Sequence, residues 1–199
     1  MSRRTPVQGR RQVTVGKVRT AAAALLARGQ TVEMLTTAQI AAEAGVSVGA
    51  LYRFFPDKQS IVDAIALDHM AAFEEALMAR LMLAFPPDAT AFLAAVVDGF
   101  VAYLDQHPDF RTLAFAQGPR PISRATRDAY AASGEMLATL REVLAETYGV
   151  ATDASFDLRL RLAIEAGERL LAFALDQPER EAAMAEVRRI LAAILFGAA

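Results

Sequence analysis

Apolar residues recur at spacings of three and four along almost the whole chain of 199 residues. This period is typical of helices packed on one face, while period-two runs rich in Val, Ile and Thr are missing. The pattern predicts an all-α protein of about nine helices. They fall at about residues 14–28, 36–44, 47–55, 58–83, 89–106, 108–115, 123–148, 154–176 and 178–196.

The fourth predicted helix is long enough to belong to two modules. At ~1.5 Å per residue it extends close to 40 Å, and Pro86 and Pro87 end it. We therefore expect an amino-terminal arm and small helical domain at residues 1–56, followed by a larger helical domain at residues 57–199.

Residues 36–58, TTAQIAAEAGVSVGALYRFFPDK, have the pattern of two short helices joined by a tight turn. Thr36 or Thr37 can cap the first helix, with Gln39 placed as in a capping box. Gly45 can take the positive φ that ends a helix, and Ser47 can cap the second one. The segment predicts a helix-turn-helix, with Leu51, Phe54 and Phe55 expected in its core.

The second helix of such a motif presents its amino-terminal residues to base edges in the major groove of DNA. The candidate contacts share this position at the start of the helix or on its next turn. They are Ser47, Val48, Gly49, Ala50, Tyr52 and Arg53. Methyl groups of Val48 and Ala50 suit a thymine methyl, and Arg53 can bind a guanine or a phosphate. Alternatively, Tyr52 is a packing aromatic and Arg53 a solvated charge.

The segment from IAAEAGVS to ALYRFFPDK also resembles the DNA-binding signature of the tetracycline-repressor (TetR) family of bacterial regulators. The resemblance implies phosphate contacts from Thr37, Tyr52 and Lys58. Two features depart from the family pattern: Phe54, where His is frequent, and QTVEML after Gly29, which is longer and less aromatic than usual.

Charge is divided unevenly along the chain. Residues 1–60 carry nine Lys and Arg against three acidic residues, whereas the remainder carries twelve against twenty. A basic module on an acidic body indicates a polyanionic partner for the first part. Residues 1–11 include four arginines and are predicted to form a flexible arm, which either contacts DNA or is a solvated tail.

Helices eight and nine combine small residues with Leu and Ile, a composition that permits close helix approach. The family resemblance implies that they pair with a second copy in a four-helix bundle. The candidate interface residues are Ala163, Ala166, Gly167, Leu170, Ala174, Val187, Ile190, Leu191 and Ile194. Their other interpretation is core within one chain.

The resemblance further implies a small-molecule pocket in the body, whose occupation releases DNA. The candidate lining is mostly apolar and suits a hydrophobic effector. It comprises Phe92, Val96, Phe100, Phe115, Tyr130, Met136, Leu137, Glu165 and Phe173. Plain core is the other interpretation of the apolar residues, and Glu165 can instead pair with Arg169.

Other protein classes fit the sequence less well. We find no phosphate-binding Gly loop, HExxH or Gly-x-Ser-x-Gly motif, so we expect no catalytic residues and no cofactor. His69 and His107 lack neighbours at metal-ligand spacing, and no apolar run resembles a membrane span or signal peptide. With no cysteine, a cytoplasmic location is expected. The predicted function is a homodimeric, ligand-responsive repressor of a palindromic operator; a helical architectural protein without sequence preference is the alternative.

Overall fold

The computed structural model describes residues 6–115 and 135–197, with side chains from 11 to 115 and from 138 to 197. These ranges contain nine α-helices and no β-strand, which confirms the all-α class. The helices are α1 (Pro6–Ala27), α2 (Thr37–Ala44), α3 (Val48–Tyr52), α4 (Lys58–Leu83), α5 (Ala89–Gln106), α6 (Pro108–Phe115), α7 (Glu135–Tyr148), α8 (Ala154–Leu175) and α9 (Arg180–Phe196).

Helix α1 differs most from its prediction, because it begins at Pro6 instead of near residue 14. Proline suits the first turn of a helix, where its fixed φ is favourable and its missing N–H is not needed. The stretch from Pro6 to Arg11, predicted as part of a flexible arm, is therefore helical. Residues 123–134 of the seventh predicted helix lie outside the described residues.

The chain forms two compact units, and the boundary between Ala72 and Phe73 falls within α4. The first unit comprises Met1–Ala72 and Leu104–Ala132. Helices α2 and α6 both pack against α1, and α2 also packs against α3. Its core consists of fully buried aliphatic side chains contributed by every helix and by the segment before α2. They include Val18, Leu26, Leu35, Ile40, Leu51, Ile61 and Leu113.

The second unit comprises Phe73–Tyr103 and Ser133–Ala199, and α8 packs against α9 within it. Gly167 makes this approach close: a Cβ built there would lie 3.7 Å from both terminal methyl groups of Leu191. Phe156 is completely buried and Phe92 is 2% exposed, so aromatic rings contribute to this core beside the aliphatic side chains.

Helix α5 is the one described helix with the length and apolar composition of a membrane span. The sequence analysis expected no such run. Only 22% of this helix is buried within the described structure, and its middle carries Asp98, whose carboxylate accepts a 2.9 Å hydrogen bond from Arg188 Nε. This ion pair joins α5 to α9 within the second unit.

Candidate DNA-binding site

Helix α2 begins with the predicted capping box. The Thr36 hydroxyl accepts a hydrogen bond from the backbone N–H of Gln39 at 3.2 Å, and the Gln39 side chain accepts one from the Thr36 N–H at 3.0 Å. These reciprocal bonds satisfy donors that a helix start leaves unpaired. They fix the residue at which α2 begins.

The turn between α2 and α3 is also set by local hydrogen bonds. Gly45 has φ +65°, a conformation that glycine adopts without steric cost, and its N–H bonds back to α2. Ser47 caps α3, because its hydroxyl accepts a 3.1 Å hydrogen bond from the Ala50 N–H. The predicted helix-turn-helix is therefore present.

Helix α3 buries one side and exposes the other. Leu51 is completely buried, and Phe55, which follows the helix, is 6% exposed, so both lie in the core as predicted. Most of the candidate base contacts are exposed. Ser47, Val48, Gly49 and Arg53 are exposed, Tyr52 is half exposed, and Ala50 is partly buried. A Cβ added to Gly49 would meet nothing within 4 Å, so the backbone there is open to a partner.

Two of the expected phosphate contacts are joined to each other. Thr37 lies in the first turn of α2 and Tyr52 in α3. Their hydroxyl oxygens are 3.0 Å apart, which is within hydrogen-bonding distance. Both residues remain partly exposed. Tyr52 is therefore no core aromatic, and its hydroxyl is oriented by α2.

The third expected phosphate contact, Lys58, has partners within the protein. Its Nζ donates to the backbone oxygen of Val32 at 2.6 Å and to that of Glu33 at 3.3 Å. The pKa of the Glu33 carboxyl lies below its usual value, because a backbone hydrogen bond, the Thr31 hydroxyl and then the Lys58 charge favour the ionised form. Sequence reasoning missed these partners, since no spacing rule links residues so far apart.

Phe54 departs from the prediction that it belongs to the core. It is partly exposed, and the guanidinium of Arg11 lies over its ring, 5.7 Å from the centroid. A cation over an aromatic face is attracted to its π electrons. Because residues 6–11 of the predicted arm are part of α1, Arg11 reaches the residues that follow α3.

The positive charge of the first unit is only partly neutralised. Arg19 pairs with Asp68 at 2.7 Å, and Arg28 pairs with Glu43 at 2.8 Å. Arg53 forms no ion pair with any residue in the described ranges, and it is exposed beside Tyr52. A cation therefore remains available on the outer side of α3.

The candidate pocket residues are distributed unevenly. Phe92 is buried against the Tyr148 ring, with centroids 5.7 Å apart, whereas Val96 and Phe100 on α5 are partly exposed. Phe115 ends α6 in the first unit. The remaining candidates are exposed or outside the described side chains: Glu165 and Phe173 are exposed, Tyr130 lies outside the described residues, and the side chains of Met136 and Leu137 are not described.

Most of the candidate interface residues on α8 and α9 are buried within the chain itself. Ala163, Gly167, Ala174, Val187 and Leu191 are buried, as in the alternative interpretation of these residues. They pack inside the chain because the two helices approach each other along Gly167 and Leu191. The other four candidates, Ala166, Leu170, Ile190 and Ile194, are partly exposed.

A second apolar stripe on α8 escaped the sequence analysis. Leu158 is 53% exposed, Leu162 54% and Phe173 66%, and these positions share one side of the helix. Their spacing of four and eleven residues indicates one side of a helix. The buried residues of α8 have similar helical spacing, so spacing did not distinguish the two sides.

The histidines form part of a small polar cluster within the first unit. His69 Nε2 and the Asp109 carboxylate lie 2.8 Å apart, both side chains are 13% exposed, and the His107 ring meets His69 edge-on at 5.2 Å. In the described part of the chain, no three His, Cys, Asp or Glu side chains gather where they could hold a metal ion.

Two family models match this chain. Residues 19–65 match the model described as bacterial regulatory proteins, tetR family, and residues 88–195 match the tetracyclin repressor-like C-terminal domain. No curated protein matches the chain.

Solved structures of the same family share the fold. A TetR-family regulator from Streptomyces coelicolor is 24% identical with a TM-score of 0.70, covering 92% of this chain and 98% of that one. A tetR family regulator from Shewanella sp. PV-4 is 20% identical with a TM-score of 0.65, covering 92% and 95%. The regulator LfrR from Mycobacterium smegmatis, in complex with proflavine, is 18% identical with a TM-score of 0.52, covering 94% and 98%.

The helix-turn-helix described above lies within the first matched segment, and the second matched segment alone spans more than half of the chain. This protein belongs to the TetR family of bacterial DNA-binding transcriptional regulators, which are not enzymes.

Proposed function

We propose that this regulator is a ligand-responsive repressor, which binds a palindromic operator in the cytoplasm as a homodimer and is released by a hydrophobic effector. The observation that carries the proposal is the exposed side of α3. Its buried side is anchored by Leu51, and its start is fixed by the Ser47 cap. Such a helix can enter a major groove without rearrangement of the protein.

The exposed residues divide into two kinds of contact. Ser47, Val48, Gly49 and Ala50 form the amino-terminal part of α3, which suits base edges. Thr37, Tyr52 and Arg53 suit phosphates, because hydroxyl groups and a guanidinium donate hydrogen bonds to phosphate oxygens. The 3.0 Å contact between the Thr37 and Tyr52 hydroxyl groups brings the start of α2 to α3, which supports a single DNA-binding surface.

A symmetric dimer follows from the small size of α3, which covers only a few base pairs. Family members bind DNA as dimers. We assign the dimer interface to α8 and α9, with the exposed Leu158 and Leu162 as its apolar centre. Phe173 lies further along the same side of α8, beyond the exposed Glu165 and Arg169. An exposed apolar stripe of this kind is stabilised when a second copy removes it from water.

The proposed effector is small and mostly apolar. Val96 and Phe100 on α5 offer partly exposed apolar surface within the second unit. LfrR was solved in complex with the small molecule proflavine. An effector releases DNA only if it binds the released conformation more tightly than the DNA-bound one.

Selection of duplexes from a random-sequence pool tests the DNA-binding function. We expect the protein to enrich an inverted repeat and to bind it at least ~10³-fold more tightly than random duplexes at fixed salt. Tyr52→Ala should keep the dimer and weaken this binding. Equal affinity for all duplexes would instead favour the architectural alternative.

Replacement of Leu162 by glutamate tests the interface. Leu162→Glu places a charge in the proposed apolar centre, so light scattering should find a monomer. Leu83→Glu is the matched control, because Leu83 is 89% exposed at the end of α4, outside the proposed interface. A dimer that survives Leu162→Glu would refute this assignment.

A further inference from the structure

Lys58 holds the segment that connects α1 to α2. This connection places Val32 and Leu35 inward, at 6% and 1% exposure, and turns its backbone oxygens at Val32 and Glu33 toward the Lys58 ammonium. Hydrogen bonds from a charged donor are stronger than neutral ones. The 2.6 Å bond to Val32 is partly buried, which further strengthens it.

The start of α4 does not itself need a lysine. A cation is unfavourable at the positive end of a helix dipole. Another pair already caps this end: the Asp57 carboxylate accepts a 2.7 Å hydrogen bond from the Ser60 N–H, and the Ser60 hydroxyl donates to the Asp57 backbone oxygen at 2.7 Å. The position of Lys58 is thus fixed, and its ammonium is directed to the connection.

The connection leads directly into the DNA-binding surface. It ends at Thr36, which caps α2, and the next residue, Thr37, bonds the Tyr52 hydroxyl. A displacement of the connection would move the start of α2 and the Thr37 hydroxyl, and the Tyr52 hydroxyl would lose the contact that orients it.

We propose that Lys58 is a positioning residue for DNA binding, which holds the α1–α2 connection through the Val32 and Glu33 carbonyl groups and does not serve as a phosphate contact. This departs from the role that the family resemblance implied for Lys58. The proposal rests on the proposed DNA-binding function, because its consequence is the placement of Thr37 and Tyr52.

Hydrogen exchange in the DNA-free protein is the first test. The Met34 and Leu35 amides donate to the Thr31 backbone oxygen at 3.1 and 3.2 Å, so they report whether the connection is held. In Lys58→Gln, these amides should exchange at least ~10-fold faster, as loss of a hydrogen bond to a charged group implies. Amides of α9 serve as the internal reference for intact folding.

Salt dependence of DNA binding is the second test, with the inverted-repeat duplex enriched by the unmodified protein as the probe. Loss of a cationic phosphate contact lowers the slope of log K against log salt by about 0.9. We expect Lys58→Gln to weaken binding without a change in slope, because the displaced Thr37 and Tyr52 are uncharged. Lys58→Arg should weaken binding similarly, since a guanidinium cannot reproduce the compact ammonium geometry.

Two arginine variants calibrate the slope. Arg53→Gln removes a proposed phosphate contact and should lower it, whereas Arg189→Gln alters an exposed ion pair with Glu186 on α9 and should not. Unchanged exchange at Met34 and Leu35, full affinity of Lys58→Arg, or a lowered slope in Lys58→Gln would each overturn the proposal. Failure of the unmodified protein to bind any duplex would refute the proposed function, and the exchange experiment would still decide whether Lys58 holds the connection.

Discussion

Replacement of Gly49 by alanine should stabilise the protein and weaken its binding to DNA. Gly49 lies in the first turn of α3, is exposed, and has open space where a Cβ would stand. Alanine costs less backbone entropy than glycine in a helix. We expect a gain of about 0.5 kcal/mol in the free energy of unfolding, the low end of the range for helix interiors, because α3 is short.

The same methyl group should obstruct DNA. If the backbone at Gly49 approaches a base edge, the added Cβ disturbs a contact worth about 1–3 kcal/mol, or roughly 5- to 150-fold in affinity. Thermal unfolding should show a rise of about 1–2 °C, a shift expected for a domain of this size. Fluorescence anisotropy on the selected duplex should show the loss of affinity.

Gly45→Ala is the matched control in the same motif. Gly45 has φ +65°, so alanine there is strained by about 1–2 kcal/mol and the melting temperature should fall. The two glycines thus predict stability changes of opposite sign. Undiminished affinity of Gly49→Ala for the selected duplex would refute the close approach of the Gly49 backbone to DNA.

Substitutions at three further positions test local packing and capping, each by urea denaturation. Gly167→Leu should lower the free energy of unfolding by about 1–3 kcal/mol, because its added carbons would overlap Leu191. Gly167→Ala should be tolerated, because its Cβ would lie 3.7 Å from the Leu191 methyl groups. Equal stabilities of the two variants would contradict the close approach of α8 and α9. Asp109→Ala removes the 2.8 Å partner of the partly buried His69 and should cost about 1–3 kcal/mol; an unchanged midpoint would show that the pair adds nothing. Ser47→Ala removes the cap of α3 and should cost about 1 kcal/mol, accompanied by weaker operator binding; retention of both would contradict a structural role for the cap.

The helix-turn-helix could be predicted in detail because its determinants are local. The capping box joins residues three apart, and the Ser47 cap likewise spans three residues. Gly45 needs only its own backbone freedom. Interactions between residues so close in the sequence can be recognised from the residue types alone. The turn, both helix starts and the inward Leu51 could therefore be predicted.

The helices of the body illustrate the opposite case. Helix α8 carries one apolar stripe through Ala163 and Gly167 and another through Leu158 and Leu162. Only the first stripe was predicted from the sequence, and spacing alone cannot tell which of the two packs against α9. In the tertiary structure the stripe through Ala163 and Gly167 packs against α9, because Gly167 has no Cβ and so permits close approach to Leu191.

The sequence by itself determined the all-α class and the helix-turn-helix, including the caps that start its two helices. Only the tertiary structure decided the partners of long side chains: Lys58 bonds to the Val32 carbonyl group, and Arg11 lies over Phe54. The physical reason is that a flexible side chain reaches whichever groups the packed backbone brings near it, and local periodicity carries no information about contacts between residues far apart in the chain.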